Sequence, residues 1–292
     1  MRIFVTGATG WVGSVVVKEL LDAGHQVVGL ARSDEKAAAL AATGAVVIRG
    51  TLDDLDALHS AASAADAVIH LAFNHDFSRF VENAEQDRRA IETLGSALEG
   101  SDRPLLVTGG VALVAPGRMA TEADVAPVIP SFPRKSEAAA RALAERGVRA
   151  TTIRLSPSVH GLGDHGFMAI LIGLAREKGV SAYVGEGLNR WPGVHRLDAG
   201  RLYRLVLEQG GTEPAYHAVA DEGVPVKDIA EVIGRRLGLP VESRAPDHFD
   251  WFANFAAADV PASSARTRSQ LGWEPTGPDL LTDIDQPGYY TQ

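Results

Sequence analysis

The sequence contains no cysteine among its 292 residues. This absence excludes disulfides, thiolate metal sites and cysteine nucleophiles, so any redox chemistry must come from a bound cofactor. No apolar run approaches the roughly 18 residues that a membrane-spanning helix needs, and Met1 leads directly into a strand-like segment where a secretory leader would stand. We therefore expect a soluble, cytoplasmic protein with no membrane partner.

The sequence also has fewer basic than acidic residues. The chain has 28 Lys and Arg against 37 Asp and Glu, which gives a formal net charge of −9. This balance argues against nucleic-acid binding through phosphate contacts. With 46% hydrophobic and 22% charged residues, the chain has an ordinary globular composition and is long enough for one large domain or two closely associated ones.

The first half of the chain alternates apolar, strand-like runs with segments of helical period. This pattern predicts an α/β fold with a doubly wound parallel sheet of the Rossmann type. We expect a dinucleotide-binding domain over 1–155 and a smaller mixed substrate-binding region over 156–292, partly interleaved with the sheet. The predicted strands are 3–6, 26–30, 45–49, 67–71, 104–108 and 150–155, and the predicted helices between them are 11–23, 34–42, 52–62, 78–98 and 134–146. The second half is expected to hold helices at 197–207, 226–237 and 263–271, with a strand at 216–219.

The first predicted strand runs into a glycine-rich turn, TGATGWVG, that opens a helix. In such a turn Gly7 permits the sharp bend, Gly10 lets a pyrophosphate approach the backbone, and Gly13 lets the helix pack closely on the strand. The helix N-terminus then offers free N–H groups to the anion. This context favours dinucleotide binding over a purely structural turn. The expected cofactor-binding residues here are Gly7, Thr9, Gly10, Trp11, Val12 and Gly13.

The end of the second predicted strand indicates which dinucleotide binds. Many NAD-binding proteins have an acid there that accepts hydrogen bonds from the ribose hydroxyls, whereas this chain reads Ala31-Arg32-Ser33. Arg32, helped by the Ser33 hydroxyl, would instead meet a 2′-phosphate. We therefore expect NADP, with a solvated surface arginine as the alternative interpretation of Arg32.

Three further segments accompany the glycine turn: His70-Leu71-Ala72, Val194-His195-Arg196-Leu197-Asp198 and Leu271-Gly272-Trp273-Glu274-Pro275. Together the four segments resemble the extended branch of the short-chain dehydrogenase/reductase superfamily, which includes NAD-dependent epimerases and dehydratases of nucleotide sugars. The resemblance implies that Leu52 contacts the adenine side of the cofactor. It implies further cofactor contacts at Leu71, Ala72, Phe73, Thr108, Pro157, Ser158 and Val159, the last four near the nicotinamide. It also implies that His195 and Asp198 are structural supports.

The residues that this family ordinarily uses for catalysis are missing from the expected positions. Members have a serine or threonine past the fifth strand and Tyr-x-x-x-Lys on the next helix, but two glycines follow Thr108 here. Alignment places Phe132 and Ser136 at the tyrosine and lysine positions. A shift by one residue gives Ser131-x-x-x-Lys135, which restores the lysine but not the phenol, because an aliphatic hydroxyl is a much weaker acid. No tyrosine occurs in residues 1–176, so the usual acid is absent in either alignment.

Other side chains could replace the missing acid. His75 and Arg79 have the spacing of one helix face just past the fourth strand, and histidine titrates near neutrality. Lys135, next to Arg134, begins the helix that normally carries the tyrosine and lysine, and it could stabilise an oxyanion. We therefore expect His75, Arg79 and Lys135 to be catalytic, with solvated surface positions as the alternative.

His160 and His165 lie in a glycine-rich stretch after the expected nicotinamide loop and are the expected substrate-pocket residues. Together with Asp164 they have the side chains of a metal site, but no spacing fixes them as ligands, and we expect no metal.

These features predict an NADP(H)-dependent oxidoreductase that acts on a small organic carbonyl or alcohol, with a proton donor other than tyrosine. Two alternatives stay open. One is a catalytically silent protein that binds NADP(H) and reports its state to a partner. The other is a nucleotide-sugar epimerase or dehydratase, although those reactions also depend on the absent tyrosine. Dimers are common in the family, so the resemblance points to a homodimer.

Overall fold

The computed structural model describes residues 1–112, 114–127, 129 and 132–291. By its internal contacts the chain divides into two compact units. The first unit comprises Met1–Gly109, Ala126–Arg154 and Gly200–Tyr216, and the second comprises Gly110–Val125, Leu155–Ala199 and His217–Gln292. Neither unit is continuous in sequence. The expected boundary after residue 155 lies next to the point where the chain passes from the first unit to the second, between Arg154 and Leu155. The chain returns to the first unit at residues 200–216.

The strands and helices follow the predicted alternation through the first half of the chain. The strands are β1 (Arg2–Thr6), β2 (Gln26–Ala31), β3 (Val46–Arg49), β4 (Ala67–His70), β5 (Leu105–Gly110), β6 (Ala150–Leu155), β7 (Ser158–His160), β8 (Ser181–Val184), β9 (Arg190–His195), β10 (Ala215–Ala218), β11 (Asp221–Pro225) and β12 (Val241–Arg244). The helices are α1 (Gly13–Asp22), α2 (Asp34–Ala41), α3 (Leu55–Ser63), α4 (Phe80–Ser96), α5 (Ser136–Glu145), α6 (Phe167–Lys178), α7 (Arg196–Glu208), α8 (Val226–Leu237), α9 (Ala253–Ala256), α10 (Ala265–Leu271) and α11 (Leu280–Ile284). Short 3-10 helices occupy Phe77–Arg79, Pro246–Phe252 and Pro287–Tyr289.

A seven-stranded sheet with the order β10-β6-β5-β4-β1-β2-β3 forms the centre of the first unit. β1 pairs in parallel with both β2 and β4, so the strand order reverses beside β1. The predicted α/β fold with a doubly wound sheet is therefore confirmed. In such sheets the ligand crevice lies at this reversal, outside the carboxyl ends of the strands.

One strand of the sheet comes from the smaller region expected over 156–292. β10 follows α7 and extends the sheet beyond β6, where the Thr152 amide donates to the Pro214 carbonyl at 3.0 Å. The sequence predicts this strand at 216–219, in a region expected to be partly interleaved with the sheet, and the structure has β10 at Ala215–Ala218. A strand that joins a sheet through long-range pairing has no local signal to name its neighbour.

Local sequence explains where several helices begin and end. α2 begins after Ser33, whose hydroxyl accepts a hydrogen bond from the Lys36 amide at 3.3 Å and so caps the helix. Gly24 follows α1 with a φ of +81°, in the left-handed region that ends helices. α6 is not among the predicted helices; it lies between Gly166 and Gly179 in a stretch rich in glycine, which weakens the helical pattern.

The second unit combines a three-stranded sheet, β11-β9-β7, with a two-stranded one, β12-β8. Its apolar core is rich in aromatic residues, and the buried members include Trp191, Phe249, Phe252 and Tyr289. The predicted smaller mixed region is therefore confirmed. Within the described residues, no helix combines the length and the apolar character that crossing a membrane would require.

Candidate cofactor site and active site

The turn after β1 packs directly on the backbone that follows β4. Gly7 has a φ of +68°, and a Cβ atom built on it would lie 2.6 Å from the Ala72 nitrogen. A Cβ on Gly13 would lie 2.0 Å from the Gly7 carbonyl oxygen. Both distances are far below van der Waals contact, so a larger residue at either position would force the turn away from the end of β4.

The N-terminus of α1 keeps its hydrogen-bonding capacity for a ligand. Val12 precedes the helix, no side chain among the described residues caps it, and its first turn has no acidic residue. Gly10 donates to the Gly7 carbonyl at 2.9 Å and accepts from Ser14 at 3.0 Å, which fixes the turn. An uncapped helix N-terminus with its positive dipole end is a binding site for phosphate oxygens.

Two arginines lie at the carboxyl ends of β2 and β3. Arg32 is exposed directly after β2, and Arg49 ends β3. Arg49 donates to Asp34 at 2.7 Å, so that carboxylate already has a cationic partner. Leu52 is partly buried and packs against the core of the first unit.

A buried chain of hydrogen bonds connects the ends of β1 and β4 with α4 and α5. The two ring nitrogens of His70 lie 2.8 Å from the Thr6 hydroxyl and 3.0 Å from one Asp87 oxygen. The Ser136 hydroxyl donates to the other Asp87 oxygen at 2.6 Å. Ser136, aligned with the family's lysine, is thus part of the buried framework of the first unit.

Arg134 continues this chain to the end of β5. Its Nε donates to the Ser136 hydroxyl at 2.9 Å, and one terminal nitrogen donates to the Thr108 carbonyl at 3.1 Å. The guanidinium carbon lies 4.3 Å from the centre of the Phe73 ring. Burial lowers the pKa of Arg134, and within the described residues its other terminal nitrogen makes no hydrogen bond.

The three expected catalytic residues occupy different surroundings. The exposed His75 ring meets the Phe73 ring edge to face, with centres 5.2 Å apart. Arg79 is exposed and donates to Glu82 at 2.7 Å. Lys135 is exposed, with its Nζ 4.0 Å from a Glu85 oxygen. The structure thus places His75 beside Phe73, while Arg79 and Lys135 pair with acids of α4.

Aromatic rings occupy the space beside these residues. The Phe80 ring lies between Phe73 and Phe132, at 6.0 Å and 5.2 Å between ring centres. Phe132 is the residue aligned with the family's tyrosine. Ser131, the alternative in the shifted alignment, lies outside the described residues. The sequence pattern favours Lys135 as the functional cation of this segment. In the structure it is Arg134 that contacts the Phe73 ring, which His75 also contacts.

The predicted nicotinamide loop and substrate histidines belong to the second unit. Ser158 and His160 are buried on β7, and His165 is exposed. The Nδ1 atom of His160 lies 2.8 Å from Asp283, and the Nε2 atom lies 4.0 Å from Asp221. His160 is fully buried, so it supports the second unit from inside.

The other polar residues that the sequence singled out are also held within the second unit. Burial raises the pKa of Asp164. The Asp198 carboxylate accepts from the Thr276 and Gly277 amides at 3.0 and 2.8 Å. Among the described residues, no three histidine, aspartate or glutamate side chains are grouped to hold a metal.

Comparison with known proteins identifies the family. A family model described as NAD(P)H-binding matches residues 7–160, more than half of the chain. The chain belongs to the extended short-chain dehydrogenases/reductases, with an NAD(P)-binding Rossmann fold. An uncharacterised protein of Schizosaccharomyces pombe is 48% identical over 296 residues, covering 99% of this chain and 100% of that protein.

Two further proteins are similar to this one over most of their length. A 4-hydroxy-2-methyl-3-oxo-4-farnesyl-3,4-dihydroquinoline-1-oxide ketoreductase of Stigmatella aurantiaca is 30% identical over 283 residues, covering 93% of this chain and 80% of that protein. A dTDP-glucose 4,6-dehydratase of Streptomyces venezuelae, solved with NAD bound, superposes with a TM-score of 0.77. That structure is 19% identical and covers 99% of this chain and 97% of its own, which shows a shared fold.

Proposed function

We propose that this protein is an NADP(H)-dependent oxidoreductase that reduces a small organic carbonyl or oxidises the corresponding alcohol, without a tyrosine proton donor. The observation that carries the proposal is the Arg134 guanidinium, held at the end of β5 with one terminal nitrogen that makes no hydrogen bond to any described residue. It belongs to the same unit as a glycine turn suited to a pyrophosphate. The ketoreductase of Stigmatella aurantiaca supports carbonyl chemistry in this family.

The choice of NADP depends on the ends of β2 and β3. No acid stands at Ala31, Arg32 or Ser33, and Asp34 is bound to Arg49. A guanidinium at Arg32 suits the 2′-phosphate of NADP, since charge-assisted hydrogen bonds to phosphate are strong. We expect Arg32→Ala to weaken NADPH binding roughly tenfold to a hundredfold. NADH binding is the internal control and should not change; an equal loss for both coenzymes would remove Arg32 from 2′-phosphate recognition.

The residues around Phe73 suggest separate roles in stabilising charge and in delivering a proton. When bound, the nicotinamide supplies or accepts the hydride. Arg134 would stabilise the negative charge that develops on the carbonyl oxygen, because a guanidinium keeps its proton at neutral pH. His75, against the same Phe73 ring, would deliver the proton to that oxygen. Arg79 and Lys135 would add positive potential from the surface.

Measuring kcat in substituted proteins tests the roles proposed for Arg134 and His75. Arg134→Gln should lower kcat about 10²- to 10³-fold with NADPH and a panel of ketones and aldehydes, the usual effect of losing an oxyanion donor. Arg88→Gln is the matched control, because it makes the same charge change on α4 at a side chain already bound to Glu85 and Glu92. His75→Ala should lower kcat about 10²-fold. Full activity of Arg134→Gln would refute the assigned role.

Two alternatives have specific support. Phe132 packs on Phe80 where the family has its phenol, which favours a silent NADP(H)-sensing protein. The fold shared with a dTDP-glucose dehydratase favours epimerase or dehydratase chemistry on a nucleotide sugar. Tight NADPH binding without turnover of any carbonyl would support the sensor, and conversion of a nucleotide sugar without net coenzyme consumption would support the epimerase.

A further inference from the structure

The ends of β2 and β3 lie side by side in the sheet of the first unit, and an arginine stands at each. Ala31 is the register partner of Arg49, and the Gly50 amide donates to the Ala31 carbonyl at 3.2 Å. Arg32 follows Ala31 directly, so the two arginines reach the carboxyl edge of the sheet at neighbouring points. In a doubly wound sheet, the adenosine ribose of a dinucleotide binds near the end of the second strand. Both arginines therefore belong to the part of the first unit where this ribose is expected.

The Arg49 guanidinium lies against the backbone of Arg32. One terminal nitrogen donates to Asp34 at 2.7 Å, and the other donates to the Arg32 carbonyl at 3.4 Å. The second distance exceeds the roughly 2.7–3.2 Å that is usual for an N–H···O hydrogen bond. A phosphate oxygen is a stronger acceptor than a carbonyl oxygen, because it carries charge. The nitrogen that meets the Arg32 carbonyl would therefore bind a phosphate oxygen in preference to its present partner.

The ion pair between Arg49 and Asp34 adds little to the stability of the fold. The Arg49 side chain is 45% exposed, and the Asp34 side chain is fully exposed. Exposed ion pairs stabilise proteins only slightly, because water screens both charges and two side chains lose conformational freedom. Stability therefore gives little reason for a cation at the end of β3.

Asp34 would be an unfavourable neighbour for a phosphate bound at Arg32. It follows Arg32 by two residues, and its carboxylate would repel the negative charge of the phosphate. Arg49 pairs with this carboxylate. The pairing offsets the charge of Asp34, so the positive charge of Arg32 can act on the phosphate.

We propose that Arg49 is a specificity-determining residue that binds the 2′-phosphate of NADP(H) together with Arg32 and offsets the charge of Asp34. The proposal rests on the proposed function, which assigns NADP(H) to this chain from Arg32 and from the lack of an acid at the end of β2. All three charged residues belong to the first unit. The site is therefore complete without any residue of the second unit.

Two ligands that differ only in the 2′-phosphate test this site without the nicotinamide. They are 2′-phospho-ADP-ribose and ADP-ribose, and titration calorimetry with the full chain measures both affinities. We expect Arg49→Gln to weaken binding of 2′-phospho-ADP-ribose about threefold to thirtyfold, as the loss of one charge-assisted hydrogen bond at an exposed site should. Binding of ADP-ribose should not change.

Two further substitutions separate a specific role of Arg49 from a general effect of charge. Arg146→Gln is the matched control, because Arg146 is another exposed arginine of the first unit in a surface ion pair, with Glu99. It should bind both ligands as the wild type does. Arg49→Lys keeps the charge but loses the forked guanidinium, so its affinity for 2′-phospho-ADP-ribose should lie between those of Arg49→Gln and the wild type. An affinity no higher than that of Arg49→Gln would contradict the role of the positive charge.

Asp34 provides a second readout. In Arg49→Gln its carboxylate loses its cationic partner and repels the phosphate more strongly. Adding Asp34→Asn to Arg49→Gln should therefore recover part of the affinity for 2′-phospho-ADP-ribose, and raising the salt concentration should reduce the difference. An affinity equal to that of Arg49→Gln alone would contradict the proposed effect of Arg49 on Asp34.

The two ligands also keep this inference separate from the proposed function. Unchanged binding of 2′-phospho-ADP-ribose in Arg49→Gln would overturn the inference, and so would an equal loss for both ligands. If Arg32→Ala lost affinity for the phosphorylated ligand and Arg49→Gln did not, the choice of NADP would stand and only the role of Arg49 would fall. A wild-type chain with equal affinity for both ligands would refute the choice of NADP, and this site with it.

Discussion

Each unit of the molecule contains a buried histidine bound to a buried aspartate, and the two pairs differ in how fully they are satisfied. His70 in the first unit has hydrogen-bond partners at both ring nitrogens, Thr6 and Asp87. His160 in the second unit has Asp283 at one nitrogen, while the other lies 4.0 Å from Asp221 with no hydrogen-bond partner among the described residues. The same two residue types therefore build a closed network in one unit and an open one in the other.

The surroundings of the two pairs explain this difference. Asp87 also accepts a hydrogen bond from the Ser136 hydroxyl, which in turn accepts one from Arg134. The first pair therefore connects the framework of the sheet with the proposed oxyanion donor. The second pair connects an edge strand with the C-terminal segment. A buried polar network is costly to break when every member is bound, because each removal leaves others without partners. The following variants test whether the closed network contributes more to stability than the open one.

Asp87→Ala should have the largest effect on stability. It leaves His70 and Ser136 without a buried acceptor, so we expect the free energy of unfolding to fall by about 3–5 kcal/mol in urea titrations. Glu85→Ala, on the same helix, removes surface ion pairs with Arg88 and Lys135 and should cost less than about 1 kcal/mol. Similar losses for both variants would mean that the closed network has no special role.

Asp283→Asn should have a smaller effect in the second unit. The amide keeps one acceptor oxygen, so some of the donors His160, Gln286 and Tyr289 remain bound. We expect a loss of about 1–3 kcal/mol in the free energy of unfolding, measured in urea. A loss as large as that of Asp87→Ala would show that the open network is no weaker than the closed one.

The pH dependence of stability should carry a contribution from His195, whose ring lies 5.6 Å from that of His160. Burial and the neighbouring His160 lower the pKa of His195 from its usual 6.5, against the opposing effects of Asp283 and Asp198. The unfolded chain therefore binds this proton more readily, and stability should fall as the pH drops through 6.5 and below. Urea midpoints between pH 7.5 and 5 (about the range where histidine titrates) should fall less in His195→Gln than in the wild type. Parallel curves would contradict this assignment.

Tyr290→Phe should have the smallest effect. Burial raises the pKa of Tyr290 to about 12, so its phenol is neutral, and the hydroxyl has no hydrogen-bond partner among the described residues. Replacing it with hydrogen should leave stability unchanged or raise it by up to about 1 kcal/mol, as thermal unfolding can measure. A loss above about 1 kcal/mol would show that this hydroxyl is bound in solution.

Much of the fold could be predicted from local sequence. β6 and α8 have the predicted bounds, Ala150–Leu155 and Val226–Leu237, since each combines a clear apolar period with glycine at or near one end. α6 could not be predicted, because the glycines around it weaken the helical pattern of apolar residues. The place of β10 beside β6 could not be predicted, because a strand's neighbours depend on long-range pairing.

The candidate site divides in the same way. The glycine turn and its helix could be recognised because adjacent residues form it. The choice between Arg134 and Lys135 could not be made, because both precede α5, which begins at Ser136, and helical period assigns no face to them. The hydrogen bond between His160 and Asp283 could not be predicted, because the two residues are 123 positions apart and no local pattern connects them.

The sequence by itself determined the alternation of strands and helices, the glycine turn after β1 and the absence of a tyrosine from residues 1–176, because each depends on residue types at short spacing. Only the tertiary structure decided which polar side chains are buried together, which cation meets Phe73 and which histidine is held by the C-terminal segment. Those outcomes depend on contacts between distant parts of the chain, where hydrogen bonds must be satisfied out of water.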